Sequence, residues 1–84
     1  MNRRKLLARL VSGAVQNVAF DDLTDLAEGF GFRLVRQSGS HRIYAHPAVS
    51  ELVNIQDVAG QAKPYQIRQL LRLVERYNLR LEDL

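Results

Sequence analysis

Apolar residues recur at helical spacing in three stretches of the chain, separated by segments with a different pattern. The first stretch predicts a helix over about residues 3–12, with Gly13 ending it and a short polar connection to Val18 following. The second stretch, Phe20 to Phe30, predicts a helix that the glycines flanking its last apolar residue should stop. The third begins at Pro64, which fits the first position of a helix because that position needs no N–H donor.

Between the second and third helices, the pattern changes to short alternating runs bounded by turn residues. Phe32 to Gln37 and His41 to His46 are predicted to form two strands joined by the tight turn Ser38-Gly39-Ser40. Pro47 should end the second strand because proline cannot donate a ladder hydrogen bond, and a third strand is predicted from Glu51 to Gln56. The order α-α-β-β-β-α predicts an α+β fold, in which a three-stranded antiparallel sheet packs on helices.

The length of 84 residues suits one compact domain, with residues 1–18 as an N-terminal helical extension and residues 19–84 as the main body. The absence of cysteine excludes disulfides and thiolate metal sites. Near the start of the chain, Arg9 interrupts the apolar run, and no stretch approaches the roughly 18 apolar residues that a membrane span needs. The sequence therefore predicts a soluble, cytoplasmic protein without a membrane partner.

Charge is distributed unevenly along the chain. There are 12 Lys and Arg residues against 9 Asp and Glu, a formal net charge of +3. Four acidic residues fall between positions 21 and 28, whereas the middle and late chain carries basic residues: Arg33, Arg36, Arg42, Lys63, Arg68 and Arg72. This distribution predicts a one-sided basic surface, which favours a polyanionic partner.

The segment Gly39-Ser40-His41 carries the clearest chemical signal. It places an imidazole at the start of a strand, beside a glycine that lets the backbone approach a ligand closely. Histidine has an ordinary pKa of about 6.5, so it can take and give a proton near neutral pH. On an ideal strand, alternation places His46 with Tyr44 on the face opposite His41. The sequence leaves open which face is buried, and whether His46 is a catalytic residue or a polar strand end.

Four features, in order from Phe20 to about Leu79, resemble the HicA family, the toxin half of a bacterial toxin–antitoxin pair. They are a short helix ending in Gly29-Phe30-Gly31-Phe32, the segment Val35-Arg36-Gln37-Ser38-Gly39-Ser40-His41, the segment Tyr44-Ala45-His46-Pro47, and Ala62-Lys63-Pro64 opening an apolar helix. The chain departs from the family in two places. Its first 18 residues exceed the usual short form, and Asp57-Val58 stand where a second histidine is often found.

The resemblance implies a fold like the double-stranded-RNA-binding domain, with an extra N-terminal helix. It also implies the toxin of a type II toxin–antitoxin system: an endoribonuclease that cleaves messenger RNA, with His41 as catalytic acid or base. A HicB-like antitoxin protein is the implied partner. We expect no cofactor and no metal ion, because the sequence has no His-x-x-x-His helix, no cysteine pair and no convincing carboxylate cluster.

RNA supplies its own nucleophile, the 2′-hydroxyl, so its cleavage needs a proton acceptor, a proton donor and stabilisation of the phosphorane. The residues predicted to bind RNA are Arg36, Ser38, Gly39, Ser40, Arg42 and Lys63. Tyr44 and His46 are further possible residues of the site. Lys63 stands beside the start of the last helix, where free N–H groups suit a phosphate. Two alternatives stay open, a nonenzymatic RNA-binding module of the same fold and a protein-docking domain with a basic face.

Overall fold

A computed structural model describes residues 2–82, which form three helices and one three-stranded sheet. The elements in chain order are α1 (Arg3–Val11), α2 (Phe20–Gly29), β1 (Arg33–Ser38), β2 (His41–His46), β3 (Val49–Gln56) and α3 (Pro64–Arg76). The strands lie in the order β1-β2-β3, and both pairings are antiparallel. This confirms the predicted α+β fold and element order, and the arrangement is compatible with a double-stranded-RNA-binding-domain-like fold.

The strand boundaries differ slightly from the prediction. β1 starts and ends one residue later than predicted, and Phe32, just before it, is buried in the core. β3 begins at Val49, two residues before its predicted start. Pro47 and Ala48 make so short a turn that Val49 already pairs with His46, and the burial of Val49 favours this early pairing.

The helices cover one face of the sheet and leave the other face open. β3 shows the division directly, since Val53 and Ile55 are fully buried whereas Leu52 and Asn54 between them are exposed. The buried side chains of the helices and of this inner sheet face form one hydrophobic cluster. Such one-sided cover is common for antiparallel sheets and leaves the outer face available to ligands.

The connection between α1 and α2 was predicted to be polar, but two of its side chains are buried in the core. Val15 and Val18 are buried, and the Val18 carbonyl accepts a hydrogen bond of 2.9 Å from the N–H of Ala62. The prediction of a polar connection is therefore wrong at these two valines, which pack into the core while the residues beside them are exposed. Leu6 and Leu10 of α1 belong to the same core cluster.

Arg3 also fastens α1 to α2 by an ion pair. Its Nε and Nη2 atoms donate to the two carboxylate oxygens of Asp25, at 3.0 and 2.8 Å. These hydrogen bonds from Arg3 hold the pKa of Asp25 below its ordinary value.

None of the helices in residues 2–82 is long and apolar enough to cross a membrane.

Candidate functional site

The turn between β1 and β2 presents His41 at the edge of the open sheet face. Ser38 pairs with His41 across the turn, and Gly39 adopts a positive φ of 58° between them. Glycine adopts this left-handed conformation at little cost, which explains its use in so short a turn. Ser38, Gly39 and Ser40 are all exposed, so a ligand can reach the backbone beside His41.

Strand register settles which face of β2 is buried. Residues paired across a sheet share a face, and Tyr44 pairs with the buried Val53. His46, on the same face as Tyr44, pairs with the buried Val49. By alternation His41 lies on the outer face, so its accessibility follows from the whole register of β2 and not merely from its place at the strand start.

A polar side chain of β3 holds the His41 ring. The Nδ1 atom of His41 lies 3.1 Å from the amide oxygen of Asn54, which points outward from the neighbouring strand. No residue from 2 to 82 makes a hydrogen bond to Nε2 of the ring. His41 is half-buried by its neighbours while Asn54 is exposed, so the site is a shallow surface and not a deep cleft.

A chain of hydrogen bonds joins this turn to the beginning of α3. Ser40 accepts a hydrogen bond of 2.9 Å at its carbonyl from Asp57, and one of 3.3 Å at its hydroxyl from the Gln56 amide. The backbone N–H of Gln56 donates to the side chain of Gln66, which is buried in the first turn of α3. This network places Lys63, the residue before α3, at the same end of the molecule as His41.

The beginning of α3 carries a positive charge but few free N–H groups, because Gln66 and Ile67 both donate to the Lys63 carbonyl and Pro64 has no N–H. Lys63 occupies the N-cap position without a capping side-chain hydrogen bond, and Pro64 follows at the first helical position. The Lys63 ammonium lies 5.8 Å from the ring centre of Tyr65, an exposed aromatic residue. The predicted helix start is therefore confirmed, and a positive charge stands beside it.

The two arginines predicted to bind RNA lie on opposite faces of the sheet. Arg36 pairs with Ile43 on the outer face, the face of His41. Arg42 pairs with the buried Ile55, and its guanidinium lies 4.9 Å from the ring centre of Phe20 in α2. The structure thus brings Arg36 to the site and directs Arg42 toward the helices. Alternation along β2 already separates adjacent residues, so the sequence contained this signal.

Both ring nitrogens of His46 bond to the backbone. The N–H of Ala48 donates to Nδ1 at 3.0 Å, so Nε2 carries the proton and donates to the carbonyl of Phe30 at 3.1 Å. The ring also makes an edge-to-face contact with Phe32, with centroids 5.1 Å apart. A side chain at Gly31 would clash, since a Cβ there would lie 2.9 Å from Nε2. These contacts favour the structural interpretation of His46.

Tyr44, the other further candidate, lies inside the core. It is 1% exposed, and burial raises the pKa of its hydroxyl, with the charge of Glu28 adding to the shift. RNA cannot reach this side chain on the folded protein.

Among residues 2–82, no three Asp, Glu or His side chains come together in a group that could hold a metal ion.

Sequence reasoning missed three polar side chains near the site: Asn54 contacts His41, Gln56 donates to Ser40 of the turn, and Gln66 accepts from the backbone N–H of Gln56. Asn54 and Gln56 stand at polar positions of an alternating strand, which indicates an outward face. Their contacts with His41 and Ser40 follow only from the register of β3 against β2.

Comparison with protein families gives a match that spans the site. The model of the HicA toxin of bacterial toxin–antitoxin systems matches residues 20–75, about two thirds of the 84-residue chain. Searches of the curated proteins and of the solved structures gave no significant match. The matched segment contains all three strands, the turn before His41 and nearly all of α3. The chain therefore belongs to the HicA toxin family.

Proposed function

We propose that this toxin is an endoribonuclease that cleaves messenger RNA, with His41 as its catalytic acid or base. Membership of the family makes the chain the toxin of a toxin–antitoxin system and implies an antitoxin partner. The observation that supports the ribonuclease activity is the placement of His41 on an open sheet face, beside an exposed turn and near basic residues. A histidine in such a place can reach a substrate and exchange a proton with it.

In the proposed reaction, the 2′-oxygen of RNA loses its proton and forms a bond to the adjacent phosphorus. The bond from phosphorus to the 5′-oxygen breaks, and the leaving oxygen gains a proton. The products are a 2′,3′-cyclic phosphate and a 5′-hydroxyl. His41 carries out one of the two proton transfers and water the other, a kind of catalysis that contributes roughly 10²–10⁴-fold.

RNA phosphates would contact the outer face and the turn. Arg36 lies on the His41 face, and Lys63 lies at the same end of the molecule. Ser38 at the end of β1 and the exposed turn Gly39-Ser40 offer hydroxyl and backbone groups between them. Such contacts position a strand without reading its sequence, whereas the catalytic step requires His41 itself.

Two histidine variants test this assignment, because β2 carries one histidine on each face. His41→Ala should lower cleavage of RNA by roughly 10²-fold or more while the circular dichroism spectrum stays unchanged. His46→Ala is the matched control, and its folded fraction should cleave RNA like the wild type. A folded His41→Ala protein that still cleaves would refute the mechanism. Wild-type protein that binds RNA without cutting it would instead indicate a binding module, and failure to bind RNA at low salt would indicate a protein-docking domain.

We further propose that a HicB-like antitoxin inhibits the toxin by covering the His41 face. Val35 is 57% exposed on the edge strand β1, between the basic residues Arg33 and Arg36. The positive charges on either side of this apolar residue suit an acidic partner surface, and the opposite charges would also speed association. Hydrogen exchange on the complex should show protection from residue 37 to residue 44 and near Lys63. Protection confined to residues 1–18 would overturn the occlusion model.

A further inference from the structure

We propose that Asn54 is a positioning residue that fixes the tautomer of His41, so that Nε2 is the nitrogen that exchanges a proton with RNA. This inference deepens the proposed ribonuclease function and rests on it for its catalytic part. Its structural part concerns the protein alone, because it rests on the 3.1 Å contact between Nδ1 of His41 and the amide oxygen of Asn54.

Strand packing holds Asn54 where it can serve this role. Asn54 lies between Val53 and Ile55, both fully buried, so β3 cannot turn without exposing two core side chains. It is the partner of Ile43 in the sheet, whereas His41 pairs with Gln56. The contact is therefore diagonal across neighbouring strands on one face, a distance that a polar side chain and a ring can span.

The chemistry of the two groups determines where the proton lies. A carbonyl oxygen can only accept a hydrogen bond, so Nδ1 of His41 must carry a hydrogen when it faces the Asn54 oxygen. The neutral ring then has its lone pair on Nε2, the nitrogen without a hydrogen bond to residues 2–82. When Nε2 takes a proton, Nδ1 keeps its hydrogen and the contact becomes charge-assisted. Asn54 thus supports both protonation states without moving.

The tautomer can be measured without RNA. Nitrogen-15 NMR of the imidazole groups in purified protein should show neutral His41 with its hydrogen on Nδ1. In Asn54→Ala, His41 should shift toward the Nε2–H form that free histidine favours. Leu52→Ala, which alters another exposed position of β3, should leave the His41 signals unchanged. Nε2–H in the wild type, or no shift in a folded Asn54→Ala protein, would overturn the inference.

Cleavage kinetics test the functional part separately. Asn54→Ala should lower kcat about threefold to tenfold, the effect of one neutral hydrogen bond, with little change in KM. Asn54→Asp keeps an acceptor oxygen, so it should restore the Nδ1–H form and most of the rate. Its carboxylate should also move the pH profile of cleavage upward, since a negative charge favours imidazolium. A rate in Asn54→Ala equal to that of the wild type, alongside a shifted tautomer, would refute the positioning role. If the wild type cleaves no RNA, the proposed function fails while the tautomer result stands on its own.

Discussion

Replacing His46 with alanine should cost the fold several times more stability than the same change at His41. The His46 ring makes two hydrogen bonds, to the Phe30 carbonyl and the Ala48 N–H, and an edge-to-face contact with Phe32. Each hydrogen bond contributes about 0.5–1.5 kcal/mol and the ring pair a similar amount, so the free energy of unfolding should fall by about 2–4 kcal/mol. His41 loses one exposed hydrogen bond, for which about 1 kcal/mol or less is expected.

Urea unfolding followed by circular dichroism measures both changes under the same conditions. Domains of this kind have a stability of about 5–15 kcal/mol, so the His46→Ala midpoint should fall markedly while the protein stays folded without urea. RNA cleavage, divided by the folded fraction, should then be near the wild-type value. Equal midpoints for the two variants would refute the structural role of His46. A fully folded but inactive His46→Ala protein would instead restore His46 as a catalytic candidate.

The other predictions concern the reaction, the RNA contacts and the ion pair of α1. Cleavage should survive EDTA and leave 2′,3′-cyclic phosphate ends in mass spectra of a short RNA; 5′-phosphate ends or loss of activity on chelation would indicate a metal-activated water. Arg36→Ala and Lys63→Ala should each weaken RNA binding and reduce the slope of log K against log salt by about 1, because each phosphate contact releases counterions. Arg42→Ala should keep that slope and lower stability by about 1 kcal/mol through its lost contact with Phe20, and a reduced slope in this variant would show that Arg42 also contacts RNA. Asp25→Asn should lower stability by about 0.5 kcal/mol at neutral pH, a small value because Asp25 is 48% exposed. Since Arg3 lowers the pKa of Asp25, this contribution is present above the ordinary aspartate pKa of about 3.9 and is lost as pH falls through the lowered pKa. Urea unfolding at about pH 7 and about pH 3 should therefore show the difference from wild type shrinking in acid, and a difference that grows in acid would contradict the sign.

Local patterns were sufficient to predict the elements and the position of the catalytic candidate. Helical spacing located all three helices, and Pro64 marked the start of α3 to the residue. The turn residues before His41 fixed the β1–β2 hairpin, because a glycine at positive φ is a local requirement. These signals need no knowledge of distant contacts.

It was harder to predict which face of each strand is buried and which side chains contact each other across strands, because both depend on how the sheet packs against the helices. Alternation places His41 and Tyr44 on opposite faces of β2. The sequence of β2 has similar residues on both faces, so it does not indicate which face packs on the core. Register adds a second difficulty: β1 has an irregularity between Leu34 and Arg36, and the β2–β3 pairing has one between Tyr44 and His46. Each shifts the pairing by a residue or more. The contact from Asn54 to His41 is therefore set by tertiary structure.

The two histidines of β2 differ in how many of their ring nitrogens bond to the rest of the protein, and this difference underlies the proposal that His41 is the catalytic one. Five residues apart, they fall on opposite faces, and the face decides what their nitrogens contact. The fold uses both nitrogens of His46, so any proton exchange there would break a backbone hydrogen bond. At His41 one nitrogen faces Asn54, and no hydrogen bond joins the other to the described part of the chain. A histidine that transfers a proton to a ligand is best served by one ring nitrogen held by the protein and one that the ligand can reach. His41 meets this condition and His46 does not, because the fold leaves one nitrogen of His41 to a ligand and none of His46.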